Sequence, residues 1–370
     1  MSNNVICQRS PLLAIILAFM MSVMACAEDA SPSYTATVDR AVAFLRSTGQ
    51  AADGSYSAYA GPGVSSVVTT GLLRNGISPR DPLVAKSLNF LEGFVQPDGG
   101  VYQTGTLYGN YETCLAIMCF TEANTDGRYD GLLANAEKYV RKIQWNEDEG
   151  HDITSNSYGG AGYGKHERPD LSNTNFLIDA LKARGVGPDD DAMQRALTFV
   201  SRCQNLETEH NTTAFATKNP DGGFYYTPAA GGSSQAGETA DGGLRSYGSM
   251  TYAGLKSMIY AGVGPDDPRV KAAFNWISKH YVLDQNPGMG DAGLYYYYHT
   301  FAKALNAMEI DRVKDDRGSE HDWRAELLAE LAGRQQEDGS WLNENSRWLE
   351  GDPNLVTGYA LLALSYCRPK

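Results

Sequence analysis

The chain is short of the residues from which most metal and nucleophilic sites are built. It has six cysteines and six histidines in 370 residues, and no C-x-x-C, H-E-x-x-H or G-x-S-x-G spacing occurs. Those absences argue against a zinc ribbon, a zincin and a hydrolase elbow. The "GCGEQ" thioester signature of complement-type toroids is missing too. No basic block appears, and the formal net charge is −13, which disfavours nucleic acid and anionic membrane as partners. Past Met24 no apolar run is long enough to cross a bilayer, so no permanent transmembrane segment is expected. What the chain does have is 42% hydrophobic and 20% charged residues, the balance of a globular protein with a large core.

The N-terminus has its own character. Arg9 precedes an apolar stretch from Pro11 to Met24, followed by the small residues Ala25-Cys26-Ala27. That order of charge, apolar run and A-x-A site predicts a secretory signal over 1–27 and an exported chain, periplasmic or extracellular. Cys26 offers a second reading, a bacterial lipoprotein site. The four cysteines outside the signal, Cys114, Cys119, Cys203 and Cys367, read as small buried hydrophobes.

One short pattern recurs. "GQAADGSY", "VQPDGGVY" and "QQEDGSW" share a Gln, an Asp-Gly pair and an aromatic; "IQWNEDEG" with "YGGAGYG", Gln204 with "NPDGGFYY", and "DQNPGMGDAGLYYYY" are looser copies. The six glutamines, Gln50, Gln96, Gln144, Gln204, Gln285 and Gln335, fall 46, 48, 60, 81 and 50 residues apart. A fixed punctuation at such periods marks a repeat architecture.

Before each copy lies an amphipathic helix. "DPLVAKSLNFLEGF" places Leu83, Val84, Ser87, Leu88, Leu91 and Phe94 on one face and Lys86, Asn89 and Glu92 on the other. After each copy comes a helix apolar around most of its circumference, such as "VSSVVTTGLLRNG" or "NLVTGYALLALSYC". Turns such as "GISPRDP" and "GVGPDDP" supply Gly as a stop, Pro as a break and Asp as the next N-cap. Six wet-sided helices alternating with six dry ones predict an all-α fold, an (α/α)6 toroid of helical hairpins in one domain over 33–370. The acid clusters "GPDDDA" and "GPDDPR" read as caps, the Gln-Asp-Gly motif as scaffold, and "YGGAGYG" as a loop of the toroid rather than a phosphate cradle.

The motif resembles the prenyltransferase and squalene oxidase repeat shared by squalene and hopene cyclases and by protein prenyltransferase β subunits. The likeness covers essentially the whole mature chain. It implies a central cavity at the N-terminal ends of the inner helices, lined by aromatics and accepting isoprenoid chains. The cyclases of that superfamily use a D-x-D-D-T acid motif, matched here by "PDLSNT". Asp170 matches the first acid, while Ser172 and Asn173 replace the proton donor and its neighbour. The prenyltransferases hold zinc with Asp, Cys and His. "YYYYHTFAKAL" offers Tyr298, His299 and Thr300, but Tyr247 and Ser249 stand where Asp and Cys are required. Neither motif is intact, so no metal or cofactor is expected, and catalytic candidates narrow to Asp170 and His299.

If the ring closes, its mouth receives Tyr108, Glu112, Asp170, Asn173, Tyr247, Met250, Tyr296, Tyr297, His299, Trp348 and Asp352. Such a tyrosine-rich bowl suits an apolar or isoprenoid small molecule, a carbocation or a sugar ring, or it is filled by its own side chains. Three functions follow: an isoprenoid-binding member of the superfamily, a non-catalytic scaffold, or a glycan-processing enzyme. The last would draw two carboxylates from Glu112, Asp170, Glu238, Asp241 and Asp352.

Overall fold

A computed structural model describes Met1 and residues 33–369; the proposed signal, including Cys26, lies outside the described residues apart from Met1. The described chain holds twelve α-helices: α1 Tyr34–Phe44, α2 Pro62–Arg74, α3 Pro82–Glu92, α4 Gly109–Ala123, α5 Asp130–Lys142, α6 Leu171–Ala183, α7 Asp191–Arg202, α8 Gly248–Tyr260, α9 Pro268–Lys279, α10 Leu294–Ala307, α11 Trp323–Arg334 and α12 Pro353–Leu364. The even-numbered helices pack each against the next, and α12 returns to α2, so the inner ring is closed. The odd-numbered helices form the outer wall. A hairpin unforeseen in the sequence, β1 Val313–Lys314 with β2 Glu320–His321, lies between α10 and α11.

Local chemistry explains the boundaries. Asp81, Asp190 and Asp267 cap α3, α7 and α9, their side chains accepting from the N–H groups of Leu83, Ala192 and Arg269. Each such cap contributes about 1 kcal/mol. On α3, Leu83, Val84, Ser87, Leu88 and Leu91 are buried, the face predicted from the periodicity. Inner helix α2 buries eleven successive residues from Pro62 to Leu72, as its unbroken apolarity requires. The four described cysteines are free and buried.

The repeated motif proves to be a three-way joint. In four of the six copies the Gln side-chain amide donates to a carbonyl in the first turns of the next outer helix. Gln50 Nε2 reaches Leu83 O at 2.7 Å, Gln144 reaches Ala192 O at 2.9 Å, Gln204 reaches Arg269 O at 2.8 Å, and Gln335 reaches Thr37 O at 3.0 Å. The last of these ties α11 back to α1 and closes the outer wall. Gln96 departs from the pattern and holds only its own turn, through Phe94 O and Tyr102 O. In the sixth copy Asn286 holds the turn, donating to Ala292 O at 3.0 Å.

The glycine of the motif sits one turn further along the same neighbour. Gly159 has φ +80, and a Cβ placed there would run into the carbonyl oxygen of Arg195 on α7. Gly222 meets Ala272 O in the same way at 2.7 Å. Only a residue without a side chain allows that approach.

The third arm reaches inward. The N–H of the residue closing the motif donates to a Ser or Thr of the following inner helix: Tyr56 to Ser65, Val101 to Thr113, Ala161 to Thr174, Phe224 to Thr251 and Trp341 to Thr357, at 2.9–3.2 Å. Sequence reasoning passed over these hydroxyls. Loops of unequal length separate them from the motif and hide the register.

The C-terminal ends of the inner helices form a floor. Asp179 on α6 lies between Lys256 on α8 and Lys303 on α10, pairing with Lys256 through Oδ1 and with Lys303 through Oδ2 at 2.7 Å. Burial pushes the Asp179 carboxyl up, but the two ammonium groups prevail and hold it at about 2. Arg74, the last residue of α2, pairs with Glu122 of α4 at 2.8 Å. Cations near helix C-termini also meet the negative ends of the helix dipoles. The start of α1 and Arg368 lie on this side: Tyr34 donates to Asn75 at 2.6 Å, and the Arg368 guanidinium lies over the Tyr34 ring.

Candidate functional site

Above the floor, at the N-terminal ends of the inner helices, opens a cavity of about 470 Å³. Its size falls within the usual range for small-molecule sites. An aromatic belt surrounds its lower part. Tyr111 of α4 meets Phe176 of α6 edge-on at 5.3 Å; Phe176 lies 6.0 Å from Tyr296 of α10, and Tyr296 meets Tyr359 of α12 at 5.9 Å. Beneath the belt Phe176 and Tyr359 also bound a void of about 10 Å³, the space of a single water, beside His299 and Arg74. A larger indentation of about 580 Å³ lies on the outer wall between α7 and the α8–α9 turn. It faces away from the inner ring and is lined mostly by polar and charged groups.

The mouth is roofed by two loops. The insertion 205–246 crosses above α6, where Leu171 N–H donates to Tyr226 O at 2.8 Å and Thr227 Oγ1 to Pro169 O at 2.7 Å. The loop before α12 brings in Trp348 and Leu349, with φ +56 and +64, conformations that side chains other than Gly seldom adopt. Arg347 stacks on Trp348 and donates to Gln235 Oε1 of the insertion at 2.5 Å, joining the two loops across the opening.

Glu112, in the first turn of α4, is the acid of the cavity wall. It is 2% exposed, and among the described residues its hydrogen-bond donor is the Gln103 N–H, to Oε2 at 2.8 Å. Burial raises its carboxyl to about 7, the Gln103 bond opposing. A second lining acid, Glu350, has both oxygens engaged: Oε1 takes Tyr296 N–H at 2.8 Å, and Oε2 takes Tyr295 N–H at 3.2 Å and Asn343 Nδ2 at 2.7 Å. It caps α10 and has little freedom for chemistry.

The structure sorts the sequence candidates. Tyr108, Glu112, Asn173, Tyr247, Met250, Tyr296 and Trp348 line the cavity. Asp170 does not. It caps α6 from behind Asn173, its Oδ1 accepting the Asn173 N–H at 2.9 Å and its Oδ2 the Asn173 Nδ2 at 2.8 Å. Burial raises it to about 6, and Asn173 opposes that shift. Asp352 likewise caps α12 and accepts the Tyr59 hydroxyl at 2.6 Å. Tyr297 points outward and donates to Val282 O at 2.7 Å, because one step along a helix turns the side chain by about 100° away from Tyr296. Tyr298 also faces outward, to Leu283 O at 2.6 Å. His299 lies beneath the belt, 6.0 Å from the Tyr359 ring, and burial then Lys303 press its pKa well below the usual imidazole range. His299, Tyr247 and Ser249 therefore form no joint ligand set, and no cluster of three or more His, Cys, Asp or Glu residues is placed to hold a metal among the described residues. Glu238 and Asp241 are exposed on the insertion.

Sequence reasoning missed Tyr59, Tyr111, Tyr163, Phe176, Tyr226, Glu350 and Tyr359 as lining residues. A usable signal existed for Phe176 and Tyr359: each is an aromatic one to two turns inside a mainly aliphatic inner helix.

No protein-family model and no curated protein sequence matches the chain. Solved structures do. A single-site variant of the type II terpene cyclase MstE from Scytonema, in apo form, is 12% identical and superposes on 90% of this chain and 96% of its own with a TM-score of 0.55. The apo parent enzyme is 14% identical, with 90% and 98% covered and a TM-score of 0.52. A further variant, in complex with its substrate geranylgeranyl dihydroxybenzoate, is 13% identical, with 90% and 96% covered and a TM-score of 0.50. Over nine-tenths of its length, then, this chain is built on the α-helical toroid of a type II terpene cyclase.

Proposed function

We propose that the chain binds an isoprenoid in the tyrosine-lined cavity and protonates one of its double bonds from Glu112. The observation that carries this reading is a carboxyl on the cavity wall, held up to about 7 by burial and facing no cationic partner among its hydrogen bonds. Such a group keeps its proton near neutral pH. In the proposed step the Glu112 proton passes to an alkene carbon. The π electrons form the new C–H bond, and the neighbouring carbon is left cationic. A second double bond then closes a ring by donating its pair to that cation. Water at the mouth takes a proton from the final cation, which ends the sequence, and the hydronium so formed returns a proton to the Glu112 carboxylate.

A neutral carboxylic acid is a weak donor to an alkene, so stabilisation of the cation must carry much of the step. The faces of Tyr111, Phe176, Tyr296 and Tyr359 supply it, each face worth about 0.5–2 kcal/mol to a desolvated cation. Asp170 and His299, the acids and bases favoured by the sequence, lie outside the cavity wall and are given no part. The scaffold reading keeps the cavity and drops the chemistry. The glycan reading lacks a second free carboxyl, because Glu350 is fully engaged.

The experiment is incubation with geranylgeranyl-bearing polyenes in D2O, followed by mass spectrometry. The expected product has its double bonds reduced in number and carries one deuterium. Glu112→Gln should still bind the polyene while losing product at least a hundredfold. Full turnover by Glu112→Gln would reject Glu112 as the acid, and binding without any product from the native chain would leave the scaffold reading.

A further inference from the structure

The cavity holds one polar feature that a hydrocarbon cannot use. Asn173 is 1% exposed and lines the cavity, and its side-chain Oδ1 has no hydrogen-bond partner among the described residues. Its orientation is fixed from behind. The Asn173 N–H and Nδ2 both donate to Asp170, one to each carboxylate oxygen. Rotating the amide by half a turn would set its carbonyl oxygen against the Asp170 oxygen, acceptor against acceptor. The NH2 group is therefore held on the cap and the oxygen is left for the cavity side.

A buried acceptor without a donor is costly, and native structures seldom keep one without a reason. No donor among the described residues lies within hydrogen-bond distance of that oxygen. The neighbouring Ser172 hydroxyl is already paired with Tyr296 OH at 2.9 Å, across to α10. The Ser249 hydroxyl, also on the wall, accepts from the Asn286 amide at 3.3 Å and does not reach Asn173 Oδ1. Asn173 is the third residue of α6, at the mouth end of the cavity, level with Tyr111 on α4 and Tyr296 on α10, whereas Phe176 and Tyr359 lie about a turn deeper.

From this we infer that the ligand is an isoprenoid ending in a hydroxyl, an alcohol or a phenol, whose O–H donates to Asn173 Oδ1 while its chain lies on the belt. The inference rests on the isoprenoid reading above and adds the chemistry of the head group to it. Asp170 is then a positioning residue: it touches no ligand but holds the amide that does.

The test measures binding to the purified chain by quenching of its tyrosine and tryptophan fluorescence. Four probes share one geranylgeranyl chain: geranylgeraniol, geranylgeranyl hydroquinone, the methyl ether of the alcohol, and the hydrocarbon in which a hydrogen replaces the hydroxyl. The ether is larger than the alcohol and the hydrocarbon smaller, so a penalty shared by both reports the lost donor and not the fit. At least one hydroxylated probe should bind ten or more times tighter than both controls, and whether it is the alcohol or the hydroquinone identifies the source of the hydroxyl. In Asn173→Leu that ratio should fall to within twofold of unity. Asp170→Asn should shrink it while leaving the affinity for the hydrocarbon unchanged. Equal binding of all four probes by the native chain would overturn the inference and leave the isoprenoid reading in place. Binding of none of them would overturn both.

Discussion

At the residue scale, Glu112 has a consequence for stability as well as for chemistry. Its carboxyl ionises near 4.5 in an unfolded chain and at about 7 in the fold. Between those values the folded state holds more protons than the unfolded one, so stability falls as pH rises through the window and levels off above it. The cavity solvates part of the group, which discounts the effect to about 1–2 kcal/mol. Asp170 acts in the same direction over a lower window, from 3.8 to about 6. Urea melts of native protein and Glu112→Gln should therefore diverge between pH 4.5 and 7.5, the variant gaining relative stability at the upper end. Parallel curves would mean that Glu112 is not held protonated by the fold. The role of this residue was only half visible in the sequence. Its position in the first turn of an inner helix placed it at the mouth, but its raised pKa comes from burial beneath segments of other repeats such as Gly61, and no local pattern encodes that.

Among the helices and turns, legibility was far better. The apolar face of α3 and the aspartate caps of α3, α7 and α9 follow from rules that act within four residues. The four-tyrosine run 295–298 shows the limit of such rules. Its helix was clear, but which tyrosine faces the cavity depends on the helix phase, and the phase is set by packing against α8 and α12. The insertion 205–246 was opaque for a different reason: its bridges, Gln204 with Phe224 and Thr227 with Ser233, pair residues with no periodic pattern between them. The motif glycines give a sharp test at this scale. Gly159 and Gly150 have nearly the same φ, +80 and +79, but only Gly159 lies against a neighbouring carbonyl, while Gly150 has open space. Gly150→Ala should cost about 1–2 kcal/mol, the strain of the left-handed conformation alone. Gly159→Ala should cost at least about 2 kcal/mol more, since the backbone of the turn or of α7 has to move. Similar losses in denaturant melts would show that the turn yields easily and that the joint is looser than described.

For the whole molecule, the ring closes at a seam where α12 meets α2 in the inner wall and α11 meets α1 in the outer wall, the latter at the Gln335 bond to Thr37 O. Every other glutamine joint connects neighbouring repeats in sequence, whereas this one spans nearly the whole described chain. Gln335→Ala removes two hydrogen bonds, to Thr37 O and Gly339 O, and should cost about 1–3 kcal/mol. Amide exchange should then quicken in α1 and α11 before it does elsewhere. Uniform loss of protection would show that the wall opens as one unit and that the seam has no special standing. The closed ring was foreseeable because six copies of one signal leave few arrangements. The electrical floor was not: Asp179, Lys256 and Lys303 lie in three separate repeats and read individually as charges in otherwise apolar helices.

The position of the two ends bears on how the molecule can be joined to anything else. Tyr34 and Arg368 meet beside Asn75, on the face opposite the opening. A linker joined directly ahead of Tyr34 or directly behind Arg368 therefore leaves from the underside, so a sample coupled there presents its entrance to the bulk solution.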